Sequence, residues 1–246
     1  GEKRPFFTEG TELFEKGNVL YTRRIGARPS GYESIEDSLH TNEKIDDNPE
    51  EAQLINATKI SGKTKKGLGI GFFNAITANT YATFWDTISG EKRKVLTNPL
   101  CNYNMLVLEQ SLKNNSYVSI FNTNVARKGK YPTANVSGTQ FRLIDNSSTY
   151  SFIGNLTISQ KFNKNVNDQI GSKYYLEGSK ISGNFRYSLL YYVETDSYDP
   201  NDMGFESRIN ESSYGLYLRY NIYEPVWNLL LKPPLLLLLR LLYDYP

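Results

Sequence analysis

Apolar and polar residues alternate along much of this chain, and a repeat of two is the pattern of half-buried β-strands. The clearest example runs from Tyr150 to Phe162, where Ile153 is the exception to the alternation. One side carries Tyr150, Phe152, Leu156, Ile158 and Phe162, and the other carries Ser151, Asn155, Thr157, Ser159 and Lys161. The pattern predicts one long strand with an apolar face and a polar face.

Three further segments show the same alternation: residues 68–79, 184–194 and 213–222. In the first of them, Asn74 interrupts an otherwise apolar face. The predicted strands are roughly 10–13 residues long, whereas strands of globular proteins usually have about 5–6 residues. A tilted strand that crosses a bilayer needs about 9–11 residues. Strand length therefore favours a membrane barrel over a soluble β-sandwich.

Short polar turns and longer polar loops separate the predicted strands. Turns that contain Gly or Asn predict hairpins at 63–67, 113–116 and 145–148. Longer polar stretches predict loops at 28–51, 84–100, 163–172 and 195–211. Outer-membrane barrels combine short turns at one end with long loops at the other. No stretch of useful length shows the period of an amphipathic helix.

The predicted fold is an all-β, antiparallel, up-and-down transmembrane β-barrel, of which about eight to ten strands are present in this chain. Backbone polar groups cannot face lipid unpaired, so such a sheet must close. A sheet of this size would close only with further strands or with a partner chain. We assign residues 1–228 to the barrel segment. Residues 229–246 form a Leu-rich tail with a helix-breaking pair, Pro233 and Pro234, and this tail stays unassigned.

Composition and charge narrow the function classes. The chain of 246 residues carries 28 basic and 26 acidic residues, a balance that gives no reason to expect a nucleic-acid partner. The abundance of Tyr (19) and Phe (12) fits strands. Cys101 has no second cysteine for a disulfide, and His40 is the sole histidine. No Gly-x-Ser-x-Gly elbow accompanies His40, so we expect neither an enzyme nor a cofactor.

Three arginines near the start of the chain are candidates for the inside of the barrel. Arg4, Arg23 and Arg24 could line a lumen or contact a plug, because inward polar residues tune what passes through a barrel. The alternative is a structural network with the nearby carboxylates of Glu2, Glu9 and Glu12. We favour the network, since structural ion pairs are commoner than functional ones.

Three aspartates in the 195–211 stretch are weak candidates for a calcium site. Asp196, Asp199 and Asp202 offer the oxygen ligands that Ca²⁺ prefers. Their spacing is not that of an EF-hand loop. Aspartates in loops more often cap turns, so we predict no metal here.

Several short motifs resemble, in the same order, those of one family. They are residues 2–10 (EKRPFFTEG), 20–26 (LYTRRIG), 57–64 (ATKISGKT), 74–78 (NAITA), 115–118 (NSYV), 123–125 (TNV) and 198–205 (YDPNDMGF). The chain resembles, over residues 1–227, a Bacteroidota family in which a carbohydrate-binding-like N-terminal domain precedes an outer-membrane β-barrel. Thr22 replaces the usual Ser, and the tail after Trp227 does not fit. Because the N-terminal domain and the first barrel strands have no counterpart here, the chain looks like a fragment of the barrel.

Three functions remain open at this point. The first is a channel or transport component, and the resemblance implies a link to glycan handling. The second is a structural or accessory subunit that anchors a larger outer-membrane complex, with other outer-membrane proteins as partners. The third is a soluble β-sandwich, which the apolar face of strand after strand disfavours unless a second sheet covers it. Detergent dependence would separate the third from the others, and ion conductance the first from the second.

The expected location is the bacterial outer membrane, with the lipid bilayer as the main partner. Residues 1–5 lack the apolar core of a signal peptide. Export would therefore require a longer precursor.

Overall fold

The computed structural model describes Phe6 and residues 11–129, 131–163, 167–207, 210–221 and 235–243, the last of these as backbone only. Short 3₁₀ helices lie at Lys16–Asn18, Thr22–Arg24 and Ile35–Ser38. The strands are β1 (Glu43–Asp47), β2 (Leu54–Lys63), β3 (Leu68–Thr77), β4 (Thr80–Asp86), β5 (Lys92–Asn98), β6 (Cys101–Ser111), β7 (Tyr117–Arg127), β8 (Thr133–Ile144), β9 (Tyr150–Phe162), β10 (Gln169–Lys180), β11 (Phe185–Glu194), β12 (Glu211–Tyr220) and β13 (Leu235–Tyr243).

Ten of these strands form one large antiparallel sheet in the order β13-β12-β11-β10-β9-β8-β7-β6-β3-β2. Strands that are adjacent in the sheet are consecutive in the chain, with one exception: β3 pairs with β6, because the intervening β4 and β5 do not join this sheet. Those two strands pair with β1 in a separate small sheet of order β1-β4-β5. The predicted all-β antiparallel architecture is confirmed.

The large sheet is open in the described part of the chain. β2 pairs with β3 alone and β13 with β12 alone, so these two strands are its edges. The alternation of side chains predicts most strands of the large sheet, but it carries no information about which segment pairs with an edge strand. A closed barrel, as predicted, is therefore not found within the described residues.

Two stretches predicted as loops contain strands. Residues 84–100 include β5 and the end of β4, and residues 163–172 include the start of β10. In β5, Lys92, Arg93 and Lys94 follow one another, so the sequence shows no alternation of polarity there. The predicted loop at 28–51 likewise contains the acidic strand β1. The prediction of a loop over 195–211 is correct up to the start of β12, within the residues that the structure describes.

The three predicted hairpins are confirmed, and local chemistry explains their turns. Asn114 and Asn115 both have φ of 56°, the left-handed conformation that a tight hairpin between twisted strands requires. In the next hairpin, one carboxylate oxygen of Asp145 accepts the backbone N–H groups of Thr149 at 2.7 Å and Tyr150 at 2.8 Å. These bonds close the turn and fix the register of β8 against β9.

The main core lies on one face of β3, β6, β7 and β8. Phe14, Val19 and Ile25 come from the segment 11–27, which crosses this face. They pack there with the strand residues Phe73, Met105, Val107, Phe121 and Val125. A second, smaller core lies under the small sheet and consists of Ile35, Ala82 and Phe84.

Candidate functional site

One cross-strand row defines what we call the outer face of the large sheet. The row contains, in register, Ile70, Leu108, Ile120, Thr139, Leu156, Tyr174 and Val193. Large apolar side chains on this face stay exposed: Ile120 is 62% exposed, and Ile60 on β2 is 63% exposed. Further exposed members are Phe72, Leu106, Val118, Leu143, Phe152, Ile158, Ile170 and Leu189. Contiguous apolar surface of this extent marks an interaction surface, whereas scattered apolar residues would not.

Aromatic side chains are part of this face as well. The rings of Tyr191 and Tyr214 stack with centroids 4.9 Å apart. Beside them a shallow cavity of about 470 Å³ opens over Gly178 and is walled by Leu176 and Leu189. Phe141 lies across the glycine of the neighbouring strand: a Cβ on Gly154 would meet its ring at 2.3 Å. The face is thus smooth in some places and grooved in others, but apolar throughout this region.

A belt of amides crosses the outer face at the end nearer the small sheet. Asn74 donates to the amide oxygens of Asn102 at 2.7 Å and Asn104 at 2.8 Å. Asn122 donates to Asn135 at 2.9 Å. These hydrogen bonds explain why Asn74 interrupts the apolar face of β3, since its side chain bonds to two asparagines of the neighbouring strand β6. The sequence signal for this belt is the repeat of Asn at alternate positions in β6 and β7, which the apolar alternation alone does not reveal.

The opposite, inner face is packed under the segment 11–27. Phe121 is 1% exposed, and its ring fits between two glycines. A Cβ on Gly17 would lie 2.2 Å from that ring, and a Cβ on Gly138 would lie 2.5 Å from it. Gly17 also has φ of 68°, which favours glycine there for a second reason. Lys16 adds an ion pair with Glu109 at 2.5 Å.

Further along the sheet, the inner face is polar. Lys173 of β10 pairs with Glu194 of β11 at 3.2 Å, and also with Glu206 from the loop. On the same face, Tyr175 and Ser179 donate to Glu177 at 2.5 Å and 2.6 Å. The sequence showed these residues only as the polar half of the alternation, and it did not indicate that they join into networks.

The three arginine candidates are not placed together by the described residues. Arg4 lies outside them, and Arg23 is exposed. Arg24 donates through Nε to the carbonyl of Gly204 at 3.3 Å and through Nη2 to Asn201 Oδ1 at 3.2 Å. Its partners are thus in the loop 195–207. Glu2 and Glu9, from the predicted acidic network, lie outside the described residues.

The three aspartate candidates also have distinct surroundings. Asp196 is exposed, while Asp199 and Asp202 both pair with Lys161, at 2.5 Å and 3.1 Å. Asp202 pairs with Arg127 as well, at 2.5 Å. Side-chain cations therefore occupy the positions around these carboxylates. In the described ranges, no group of three or more His, Cys, Asp or Glu side chains is arranged to hold a metal ion.

The pKa of Asp199 reflects the same contacts. Its partial burial acts to raise the pKa, but the Lys161 ammonium and the backbone N–H of Asn201 hold it below its ordinary value. Asp199 is therefore ionised at neutral pH and ties the loop 195–207 to the end of β9.

None of the helices in the described residues is long and apolar enough to cross a membrane.

Comparison with known proteins places the chain in a family. No curated protein and no solved structure matches the chain. A family model described as a domain of unknown function, DUF5916, matches residues 1–232. This match covers nearly the whole chain up to the start of β13, and the chain therefore belongs to the DUF5916 family.

Proposed function

We propose that the ten-stranded sheet is part of the wall of an outer-membrane β-barrel, with its outer face toward lipid. The observation that carries this proposal is the band of exposed apolar side chains on strand after strand, of which Ile120 is 62% exposed. Full burial of an apolar side chain is worth about 1.5–3 kcal/mol, and each of these partly exposed side chains would gain part of that on leaving water. The small sheet does not cover the band, so a bilayer is the cover that the geometry favours.

Strand dimensions support the same proposal. β6 and β7 have 11 residues each, and β9 has 13. A tilted strand that spans a bilayer needs about 9–11 residues. The amide belt at one end of the outer face then fits the level of the lipid headgroups, where polar side chains meet water. In hydrocarbon the edges β2 and β13 need partners, so further strands complete the barrel.

The polar inner face of β9–β12 favours a passage for small polar solutes. Lys173 and Glu177 are partly exposed charged groups of the kind that line water-filled barrels. The motif resemblance to Bacteroidota outer-membrane barrels supports the same location and makes glycans or glycoconjugates the proposed cargo.

A second candidate is an anchor subunit of a larger outer-membrane complex. The observation in its favour is the packing of 11–27 onto the inner face, where Phe14 and Ile25 fill the space that a wide channel would leave open. A barrel filled in this way holds a complex in the membrane without conducting.

A charge on the outer face tests the membrane proposal. Ile120→Arg should lower the free energy of unfolding in liposomes by about 2–4 kcal/mol, the cost of a lipid-facing arginine near the bilayer centre. Ile88→Arg is the matched control, because Ile88 is 79% exposed in the turn between β4 and β5. Urea titration of both variants gives the comparison. Equal and small effects would contradict the proposal.

Conductance separates the two candidates. The full-length protein, purified in detergent, is inserted into a planar bilayer and recorded at single-channel resolution. Steady conductance supports a passage. Stable insertion without conductance supports the anchor subunit.

A further inference from the structure

A second cavity lies at the end of the sheet where β3, β6 and β7 meet their loops, and it is rich in arginine. Its volume is about 370 Å³, within the size range of small-molecule sites. Five separate parts of the chain contribute to the lining, which includes Arg24, Arg28, Asn98, Arg127, Tyr131 and Asn201. Neither the family description nor the proposed barrel wall assigns a role to this cavity.

Arg24 is the cation whose charge is left over. Its described contacts are the carbonyl of Gly204, the amide of Asn201 and the ring of Phe205, 5.8 Å from the guanidinium carbon. All three are uncharged groups. An ion pair requires a nitrogen–oxygen distance of 4.0 Å or less, and none of the described carboxylates lies that close to the guanidinium of Arg24. Hydrogen bonds of a guanidinium to an anion are stronger than hydrogen bonds between neutral groups, so an anion would be a better partner than the groups that Arg24 contacts.

Arg127 is balanced, and it forms a fixed part of the wall. Asp202 accepts from it at 2.5 Å, and the carbonyl of Pro132 accepts at 3.1 Å. Lys161 and Asp199 extend the network, so two cations face two carboxylates. The network fixes the loop that carries Asn201, and it contributes no excess charge.

Arg28 is a second cation of the cavity, and unlike Arg127 it is paired only in exposed positions. Its ion pairs are with Glu33 at 2.8 Å and Glu50 at 3.8 Å, and the side chains of all three are more than half exposed. Exposed ion pairs of this kind contribute little to stability, so a ligand can compete for the guanidinium. Of the charged residues that line the cavity, three are arginines and one is Asp202.

We propose that this cavity binds a small organic anion through a carboxylate or phosphate group, with Arg24 as its principal partner and Arg28 as the second. Arginine forms paired hydrogen bonds with both groups, because its planar fork matches two of their oxygens. Asn98, Tyr131 and Asn201 provide polar atoms for the rest of the ligand. The proposal is independent of whether the sheet lies in a membrane.

The test uses the full chain and three probes that share one sugar ring: glucuronate, glucose 6-phosphate and neutral glucose. Isothermal titration calorimetry should show binding of at least one charged probe and none of glucose. Binding of glucuronate alone identifies a carboxylate site, and binding of glucose 6-phosphate alone identifies a phosphate site. Because the attraction is between charges, added salt should weaken it.

Two neighbouring variants provide the control. Arg24→Gln should weaken binding about tenfold or more, because the charge-assisted hydrogen bonds to the anion are lost. Arg23→Gln removes the same charge at the next residue, which is exposed and outside the described lining, and should leave binding unchanged. If Arg24→Gln fails to fold, Arg28→Gln on the exposed side should still weaken binding. Equal affinity for all three probes, no binding of any of them, or equal losses in Arg23→Gln and Arg24→Gln would overturn the proposal.

Discussion

The two halves of the large sheet share one outer face but have different inner faces. In the first half (β2, β3 and β6–β8), the inner face is apolar and lies under the segment 11–27. In the second half (β9–β12), the inner face carries charged networks, such as the one around Lys173, and the loop 195–207 covers only part of it. The same strand pattern thus supports a packed core in one half and a polar surface in the other.

This difference teaches that each covering segment matches the polarity of the inner face beneath it. The segment 11–27 brings Phe14, Val19 and Ile25 to the first half, and strand residues of matching polarity lie beneath them. The loop 195–207 brings three carboxylates to the second half. Asp199 and Asp202 form ion pairs with Lys161, and Glu206 forms one with Lys173. We expect the attachment of the segment 11–27 to depend on apolar packing, and the attachment of the loop 195–207 to depend on charge and on close backbone contact.

The largest expected effect is in the first half. Phe121→Ala should lower the free energy of unfolding by about 3–5 kcal/mol, because it empties the space between Gly17 and Gly138. Leu190→Ala, at a half-buried position on the inner face of β11, should cost no more than about 1.5 kcal/mol. Denaturant titration of the two variants measures the difference. Similar losses would mean that the second half is packed as firmly as the first.

A single methyl group tests the cover of the second half. A Cβ on Gly171 would lie 2.2 Å from the backbone nitrogen of Tyr198, so Gly171→Ala should displace the loop 195–207 and cost about 1–3 kcal/mol. Gly178→Ala is the control on the same strand, since a Cβ there meets nothing within 4 Å. Limited proteolysis should cut the loop faster in the first variant only. Unchanged cleavage would show that the loop does not depend on this close approach.

The smallest expected effect is a pH dependence confined to the loop 195–207. The pKa of Asp199 is lowered from an ordinary 3.8, so its contribution is present above pH 3.8. That contribution is lost as the pH falls below 3.8 through the lower folded value. Hydrogen-exchange protection, corrected for the intrinsic exchange rate at each pH, should fall in 195–207 over this range while 11–27 stays protected.

Asp199→Asn provides the control for this acid step. The variant carries no titrating carboxylate at this position, so the part of the step that belongs to Asp199 should be missing, while the ion pairs of Asp202 and Glu206 stay in place. Acceleration of both segments together would mean that acid opens the sheet as a whole, and the contrast between the two covers would then be lost.

Much of the strand architecture follows from local pattern. β9 and β12 were predicted from alternation, and the hairpin turn at 113–116 from its two asparagines. β5 was missed, because an edge strand of consecutive cations has no apolar face to show. The site was less accessible from the sequence: Arg24 was selected as a candidate, but its partners in 195–207 are 177 and 180 positions away.

The sequence by itself determined which residues share a face, because side chains on a strand alternate regardless of what surrounds them. It thereby determined the apolar outer band and the antiparallel hairpins. Only the tertiary structure decided which inner residues are covered, where the excess charge of Arg24 lies, and that the described sheet stays open. These properties depend on contacts between segments far apart in the chain, and a local pattern carries no record of such contacts.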